Sequence, residues 1–445
     1  MMVRHRKRWR PCARRAAIGA VLLAGIGALL AAMPANAADQ PANRTMATVS
    51  ATGHTLDELL GIARRMSPEL AARALETEAA EARADAADKL PDPKLSVTYD
   101  QWPLASPGAA PSLTRLGFVK YMVVQEFPLG GKLDSKREQA LAESRAVAID
   151  RENAETELVA RVKTVFAEYV QAGRAIERTQ ATLTILKSIA DQVRLRYGQG
   201  VGTQVDAIQA EIERKDLESE LVRLEYERRQ AGIRINTLLN RASEAPLPAG
   251  GGLRPLPPAP ALDPVALTER ARHTNPQLRA QQARIDAADR GRDLADRNWY
   301  PDIGVGVGVN QTDRGLDSYQ AMVEVNLPLQ WGLRRAQQAE ATAMASGARQ
   351  RLAQMDRQLE GDLAEAVQGL ASARELERLI DSGLVPQAEA GLQAALKGYE
   401  SGLSEFTAVL EAERRLQKVH IDHLKVQLDQ QMRLAEIERL IGEDL

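Results

Sequence analysis

Tyr197-Gly198-Gln199-Gly200-Val201-Gly202-Thr203 ends one very long helical pattern and starts another, and about two hundred residues later Tyr399-Glu400-Ser401-Gly402-Leu403-Ser404 does the same. Each stretch places glycine where a helix ends in a left-handed conformation, followed by a hydroxyl residue, Thr203 or Ser404, able to cap the next helix. Each reads as the tip of a helical hairpin. Two equivalent tips in one chain predict a duplicated architecture.

The sequence on either side of the tips supports the duplication. From Lys132 to Arg196 no proline interrupts a charged, Ala/Leu/Val-patterned segment, which at 1.5 Å per residue makes a rod of roughly 100 Å. Such a rod has to pack along other helices. After the first tip (197–203) a helix over 203–240 returns. Upstream, Thr55-Leu56-Asp57-Glu58 is a capping box, Ser67-Pro68-Glu69-Leu70 restarts a helix with Pro at its first position, and Leu90-Pro91-Asp92-Pro93 stops it. Apolar residues at every second position then predict strands over about 94–101 and 116–127, closed by Pro128-Leu129-Gly130-Gly131.

This first repeat (54–241) is followed by a Pro/Gly-rich linker, 242–262, and then by the same plan over 263–442. Asp263-Pro264 and Asn275-Pro276 open helices, and Tyr300-Pro301-Asp302 stops them. Strands are expected over about 303–309 and 319–327, a long helix over 333–397, the second tip over 398–404 and a last helix over 404–441. The offsets between matching anchors are 208 for Pro68 and Pro276, 210 for Pro91 and Pro301, 200 for Pro128 and Pro328, and 202 for Tyr197 and Tyr399. A tandem duplication explains so constant a spacing. In each repeat the two shorter helical segments together nearly match the long one, so they can stack end to end beside it.

Residues 1–37 have the form of a secretory signal, with seven basic residues, an apolar run from Ala16 to Met33 and Ala35-Asn36-Ala37 as cleavage site. Residues 38–53 read as a mobile arm. Removing the leader takes seven of the 58 Lys/Arg and leaves 51 against 60 acidic residues, a net charge of −9, which speaks against nucleic acid as partner. The one cysteine, Cys12, leaves with the leader, so no disulfide, thiolate chemistry or N-terminal lipid anchor is expected.

The four strands have the length and alternation of outer-membrane strands. Four cannot close a barrel, and an open edge is not tolerated in lipid, so closure calls for other copies of the chain; three would give twelve strands. A soluble sheet on a helical bundle is the competing reading, but the Val-Gly alternation of 305–309 lacks the bulk to form a core on both faces.

Phe127-Pro128-Leu129-Gly130-Gly131-Lys132, Tyr197-x-x-Gly200, Tyr399-x-x-Gly402 and Val409-Leu410-Glu411-Ala412, within the duplicated plan, resemble the TolC family of outer-membrane efflux channels over nearly the whole mature chain. Leu90-Pro91-Asp92-Pro93-Lys94-Leu95, Gln101-Trp102-Pro103 and Ser112-Leu113-Thr114-Arg115 are similar to its heavy-metal, CzcC/CusC-like branch. The resemblance implies a mainly α fold, with tandem helical hairpins building a trimeric α-barrel and four strands per chain contributing to a 12-stranded transmembrane β-barrel. It also implies a homotrimer in outer-membrane lipid, working with a periplasmic adaptor (membrane fusion protein) and an inner-membrane RND pump on heavy-metal cations. A drug or organic-compound duct of the same family stays open, as does, from a different class, a periplasmic coiled-coil adaptor or structural protein.

No phosphate loop, nucleophile elbow or His-Glu-x-x-His motif is present, so no enzyme, catalytic residue or cofactor is expected. His420-Ile421-Asp422-His423 is the only histidine pair. Metal binding there would need further ligands, so the pair reads as a solvated or tunnel-facing surface and no metal site is assigned. In the family, acidic residues just beyond the second tip narrow the periplasmic entrance. The matching positions are Ala408 and Glu411, while Asp206 is the first-repeat equivalent of Ala408. Asp206 and Glu411 are therefore the candidate gate, although Thr203 and Asp206 also have capping-box spacing. Tyr197, Gly198, Gly200, Gly202, Thr203, Tyr399, Gly402 and Ser404 are the candidate adaptor-contacting positions.

Overall fold

The computed structural model describes residues 55–100, 118–247, 252–312 and 315–445; the expected leader and arm lie outside them. The first repeat runs α1 (Leu56–Met66), α2 (Pro68–Ala86), β1 (Lys94–Asp100), β2 (Phe118–Pro128), α3 (Lys132–Gly198) and α4 (Gln204–Leu238). The second runs α5 (Pro264–Thr274), α6 (Pro276–Arg297), β3 (Asp302–Thr312), β4 (Gly315–Asn326), α7 (Trp331–Leu379), α8 (Val385–Glu400) and α9 (Phe406–Ile441). The expected caps are formed. Thr55, Ser67, Asp263 and Asn275 each accept a backbone N–H from the first turn of α1, α2, α5 and α6, satisfying donors that a helix start otherwise leaves unpaired.

Several boundaries differ from the sequence reading, among them the end of β3 at Thr312 rather than 309 and the start of α9 at Phe406 rather than 404. β4 starts at Gly315 rather than 319, because the β3–β4 pairing continues through polar residues, with Asn310 donating to Ser318 Oγ at 2.9 Å. The helix expected over 333–397 starts at Trp331 and is broken by a π turn, Ile380–Leu384. Pro386 is the cause: it lacks an N–H and its ring crowds the carbonyl four residues back. The wide turn, in which Val385 N–H reaches Ile380 five residues back, absorbs the mismatch.

The helices form alternating continuous and composite rods. α3 lies between α1, α2 and α4 on one side and α6 and α9 on the other, while α7 and α8 pack on α5, α6 and α9. In the composite rods short helices meet end to end. Asn240 Nδ2 donates to Met66 O at 3.3 Å in one joint, and Asn275 Nδ2 to Leu440 O and Thr274 Oγ1 to Ile441 O, both at 2.7 Å, in the other. The described end of the linker, 252–262, is held along this joint. Leu256 and Leu262 pack with Leu363, Leu370, Ile437 and Ile441, and Gln431 Nε2 donates to Arg254 O at 2.8 Å. Among the described residues no helix is long and apolar enough to cross a membrane.

The strands make one antiparallel sheet of order β1-β2-β3-β4. Their register puts Leu95, Val97, Val123, Val305, Val307, Tyr319 and Val323 on one face, all exposed, and Lys94, Ser96, Glu126, Gln320 and Glu324 on the other with the glycines. An apolar face opposite a polar one is the pattern of a lipid-facing barrel wall. The backbones approach most closely at Gly308, where a Cβ would lie 2.5 Å from the Tyr121 carbonyl oxygen; at Gly304 the nearest neighbour is a methyl at 3.4 Å. Gly308→Ala is therefore expected to abolish the heat-modifiable electrophoretic form, and Gly304→Ala to retain it. Equal behaviour of the two variants would contradict the close approach.

Candidate functional site at the helical tips

Both tips close with the same backbone device. At the end of α3, Val201 N–H donates to Arg196 O and Gly200 N–H to Tyr197 O; after α8, Leu403 N–H donates to Gly398 O and Gly402 N–H to Tyr399 O. These paired bonds need a left-handed residue, supplied by Gly200 at φ 73° and Gly402 at φ 76°. Gly198 instead ends the helix itself, and Gly202 does not take positive φ. The residue after the left-handed glycine commonly folds back onto the helix it follows. Here Val201 and Leu403 are instead 67% and 86% exposed, so each tip presents an aliphatic side chain to its surroundings.

The helix starts differ between the copies. Thr203 caps α4 by accepting the Asp206 N–H at 3.1 Å, as its spacing predicts. Ser404 does not cap α9. The N-cap is Glu405 without a side-chain bond, and Ser404 Oγ turns back to Ala395 O at 3.4 Å. The Gly398 position explains this: its Cα faces the Ser404 side chain closely enough that a Cβ would lie 2.6 Å from Oγ, so the hydroxyl is packed against the outgoing helix.

The tips are tied to each other by a residue the sequence reading missed. Arg196 donates to Tyr399 O at 3.3 Å and lays its guanidinium over the Tyr399 ring, 4.8 Å from the centroid. Tyr399 in turn tilts against Phe406 at 5.4 Å. Tyr197, the equivalent of Tyr399, is exposed, so the duplicated tyrosines have separate jobs. Below them Leu186, Ile189, Val193, Ala210, Leu392, Val409 and Leu410 form a common core for α3, α4, α8 and α9.

Asp206 is half-buried near Tyr399; burial first, and the Asp206 charge second, push the Tyr399 phenol up from its usual range. Glu411 is exposed on α9. Among the described residues no hydrogen bond or ion pair joins Asp206 to Glu411. Further from the tip than Asp206 and Glu411, two other carboxylates are buried: Glu213 on α4 and Glu413 on α9, 5% and 3% exposed. Arg414 bonds Glu213 through Nε at 2.8 Å and through Nη2, whereas both oxygens of Glu413 have no hydrogen-bond partner. Burial, then the Glu213 charge, push the Glu413 carboxyl up to about 7, and Arg414 offsets only part of this.

A family model described as outer membrane efflux protein matches residues 59–241 and 267–443, the two repeats found above. The chain is similar to the cobalt-zinc-cadmium resistance protein CzcC of Cupriavidus metallidurans, 23% identical over 389 residues that cover 87% of this chain and 90% of that protein. It is also similar to the fusaric acid resistance protein FusA of Burkholderia cepacia, 27% identical over 263 residues, 56% of this chain and 48% of the relative. Among solved structures, that of the outer-membrane channel OprN superposes with a TM-score of 0.75 at 19% identity, covering 88% of this chain and 91% of the channel.

Proposed function

Since the chain belongs to the outer membrane efflux protein family, and is thereby an outer-membrane channel rather than an enzyme, we propose that it is the exit duct of a tripartite system that expels heavy-metal cations. The observation that carries this reading is the pairing, in one chain, of an open amphipathic sheet with two exposed aliphatic tips. The unpaired edges of β1 and β4 close when three copies supply twelve strands. Val201 and Leu403 are suited to receive the hairpin of a periplasmic adaptor, which would couple the duct to an inner-membrane RND pump. Contacts such as Arg196 to Tyr399 hold the entrance closed until the adaptor docks.

For the cargo, the support is the similarity to a cobalt-zinc-cadmium resistance protein across most of the chain. The likeness to a fusaric acid resistance protein, over about half the chain, favours an organic acid as the second reading. Deletion of the gene should raise sensitivity to zinc, cobalt and cadmium salts. Raised sensitivity to aromatic acids alone would move the cargo to the second reading, and recovery of a soluble monomer instead of outer-membrane trimers would remove the duct altogether.

Three Glu411 side chains around the axis of a trimer would form a ring that attracts cations. Single-channel recording of Glu411→Gln should show lower cation selectivity and weaker block by divalent ions. Unchanged selectivity would take Glu411 out of the gate.

A further inference from the structure

His423 on α9 faces the π turn between α7 and α8, some 17 residues from the start of α9 and so roughly 25 Å from the tip. Its Nε2 lies 3.5 Å from Glu377 Oε1 and 3.3 Å from Asp381 Oδ1, and one ligand atom from each of the three residues falls within 4.8 Å of the others. The two imidazole distances exceed the roughly 2.7–2.9 Å of a charge-assisted N–H···O bond. They match the edge, roughly 3.3–3.4 Å, of a tetrahedron whose centre is about 2.0–2.1 Å from each donor.

We propose that Glu377, Asp381 and His423 bind a divalent transition-metal ion of the zinc or cobalt class. One imidazole and two carboxylates, without thiolate, suit these ions; an imidazole donor argues against calcium or magnesium, which take oxygen ligands. The surroundings orient the ligands as an outer shell does in such sites. Gln430 Nε2 donates to Glu377 Oε2 at 2.7 Å, which leaves Oε1 turned toward the imidazole. The Gln427 amide borders the same point, its nitrogen 2.9 Å from Glu377 Oε1 and 3.3 Å from His423 Nε2. Its oxygen accepts from Arg174 Nη1 at 3.4 Å, which fixes the amide in this orientation, so water is the fourth ligand. Asp381 is 56% exposed, so the ion has a path in from solvent.

The histidine pair thus separates. His420 is not among the three clustered ligands, while His423 finds across the helix interface the ligands that the sequence did not show. The bound ion would staple the irregular stretch around Pro386 to α9, whatever cargo the duct carries.

The test is a cobalt titration of the purified full-length protein in detergent, read by visible absorption. The wild type should bind about one ion per chain with the intense bands of a tetrahedral site, displaced by zinc and not by calcium. His423→Ala and Asp381→Asn should each weaken binding at least tenfold, and His420→Ala should bind as the wild type does. Asp381 is a surface residue, so its variant keeps the assignment testable if His423→Ala misfolds. Equal cobalt binding by Asp381→Asn and wild type, an equal loss in His420→Ala, or displacement by calcium would overturn the site.

Discussion

Replacing Glu438 with alanine is expected to cost up to about 3–5 kcal/mol per chain, the range for a buried charge that loses its buried partner. Glu438 on α9 accepts from Lys163 Nζ of α3 at 2.8 Å, and the two side chains are only 4% and 3% exposed. Arg254 of the linker donates to both Glu438 oxygens at 2.8 Å, and Asp444 completes the pair on Lys163. One carboxylate therefore holds together a continuous rod, a composite rod and the strap between the repeats. Its loss leaves the buried Lys163 with Asp444, whose side chain is 68% exposed, as its one carboxylate partner, and takes from Arg254 the carboxylate it holds. Replacing both ions, as in Lys163→Met with Glu438→Leu, should recover most of the stability, because apolar groups of similar volume suit a buried site as well as an ion pair does. The thermal midpoint of the helical circular dichroism separates the cases. A single variant no less stable than the double one would show that the charges are solvated.

The duplication was legible in the sequence because prolines and glycines carry backbone requirements that survive any packing. Pro68 and Pro276 fix first turns, and Gly200 and Gly402 supply the left-handed residue that each tip needs. The strand faces were legible through their two-residue period. Side-chain partnerships across helices were not. Lys163 meets Glu438 at a separation of 275 residues, and in a helix dense with Glu, Arg and Ala nothing local marks which glutamate turns inward. The π turn was hidden for a different reason: Pro386 is one residue in a strong helical pattern, and the accommodation it forces extends back to Ile380. Ser404 shows the same limit on a smaller scale, since its capping chemistry was correct but Gly398 offered the hydroxyl a closer place. Of the proposed gate, the sequence offers Asp206 and Glu411, which lie on α4 and α9. The Arg196–Tyr399 clasp and the Glu213–Glu413 pair needed the third dimension.

That carboxylate pair leads to the second large effect, a stability that rises on acidification. Val409, Leu410 and Glu413 share one face of α9 by their spacing of three and four, so Glu413 sits where the helix packs. Arg414 is committed to Glu213, and the Glu213 charge adds to the burial that raises the Glu413 pKa from 4.5 to about 7. Between those values the folded chain holds a proton that the unfolded chain lacks. The proton-linked contribution is thus fully present below about pH 4.5 and is lost as pH rises through about 7. At 1.36 kcal/mol per pKa unit, the difference across the window is up to about 3 kcal/mol. Glu413→Gln should stabilise the protein at pH 8 and flatten the dependence, because a neutral amide costs less to bury than a carboxylate. Measuring thermal midpoints of both proteins from pH 5 to 8 isolates the effect, since the remaining titrations are common to the two and cancel in the difference. A difference that stays constant over that range would show that Glu413 is not the group responsible. Because α4 and α9 are the helices that leave the two tips, the same proton should bind them more firmly to each other. The wild-type channel is then expected to spend less time open at pH 5.5 than at pH 8 in single-channel records, and Glu413→Gln to lose most of that difference.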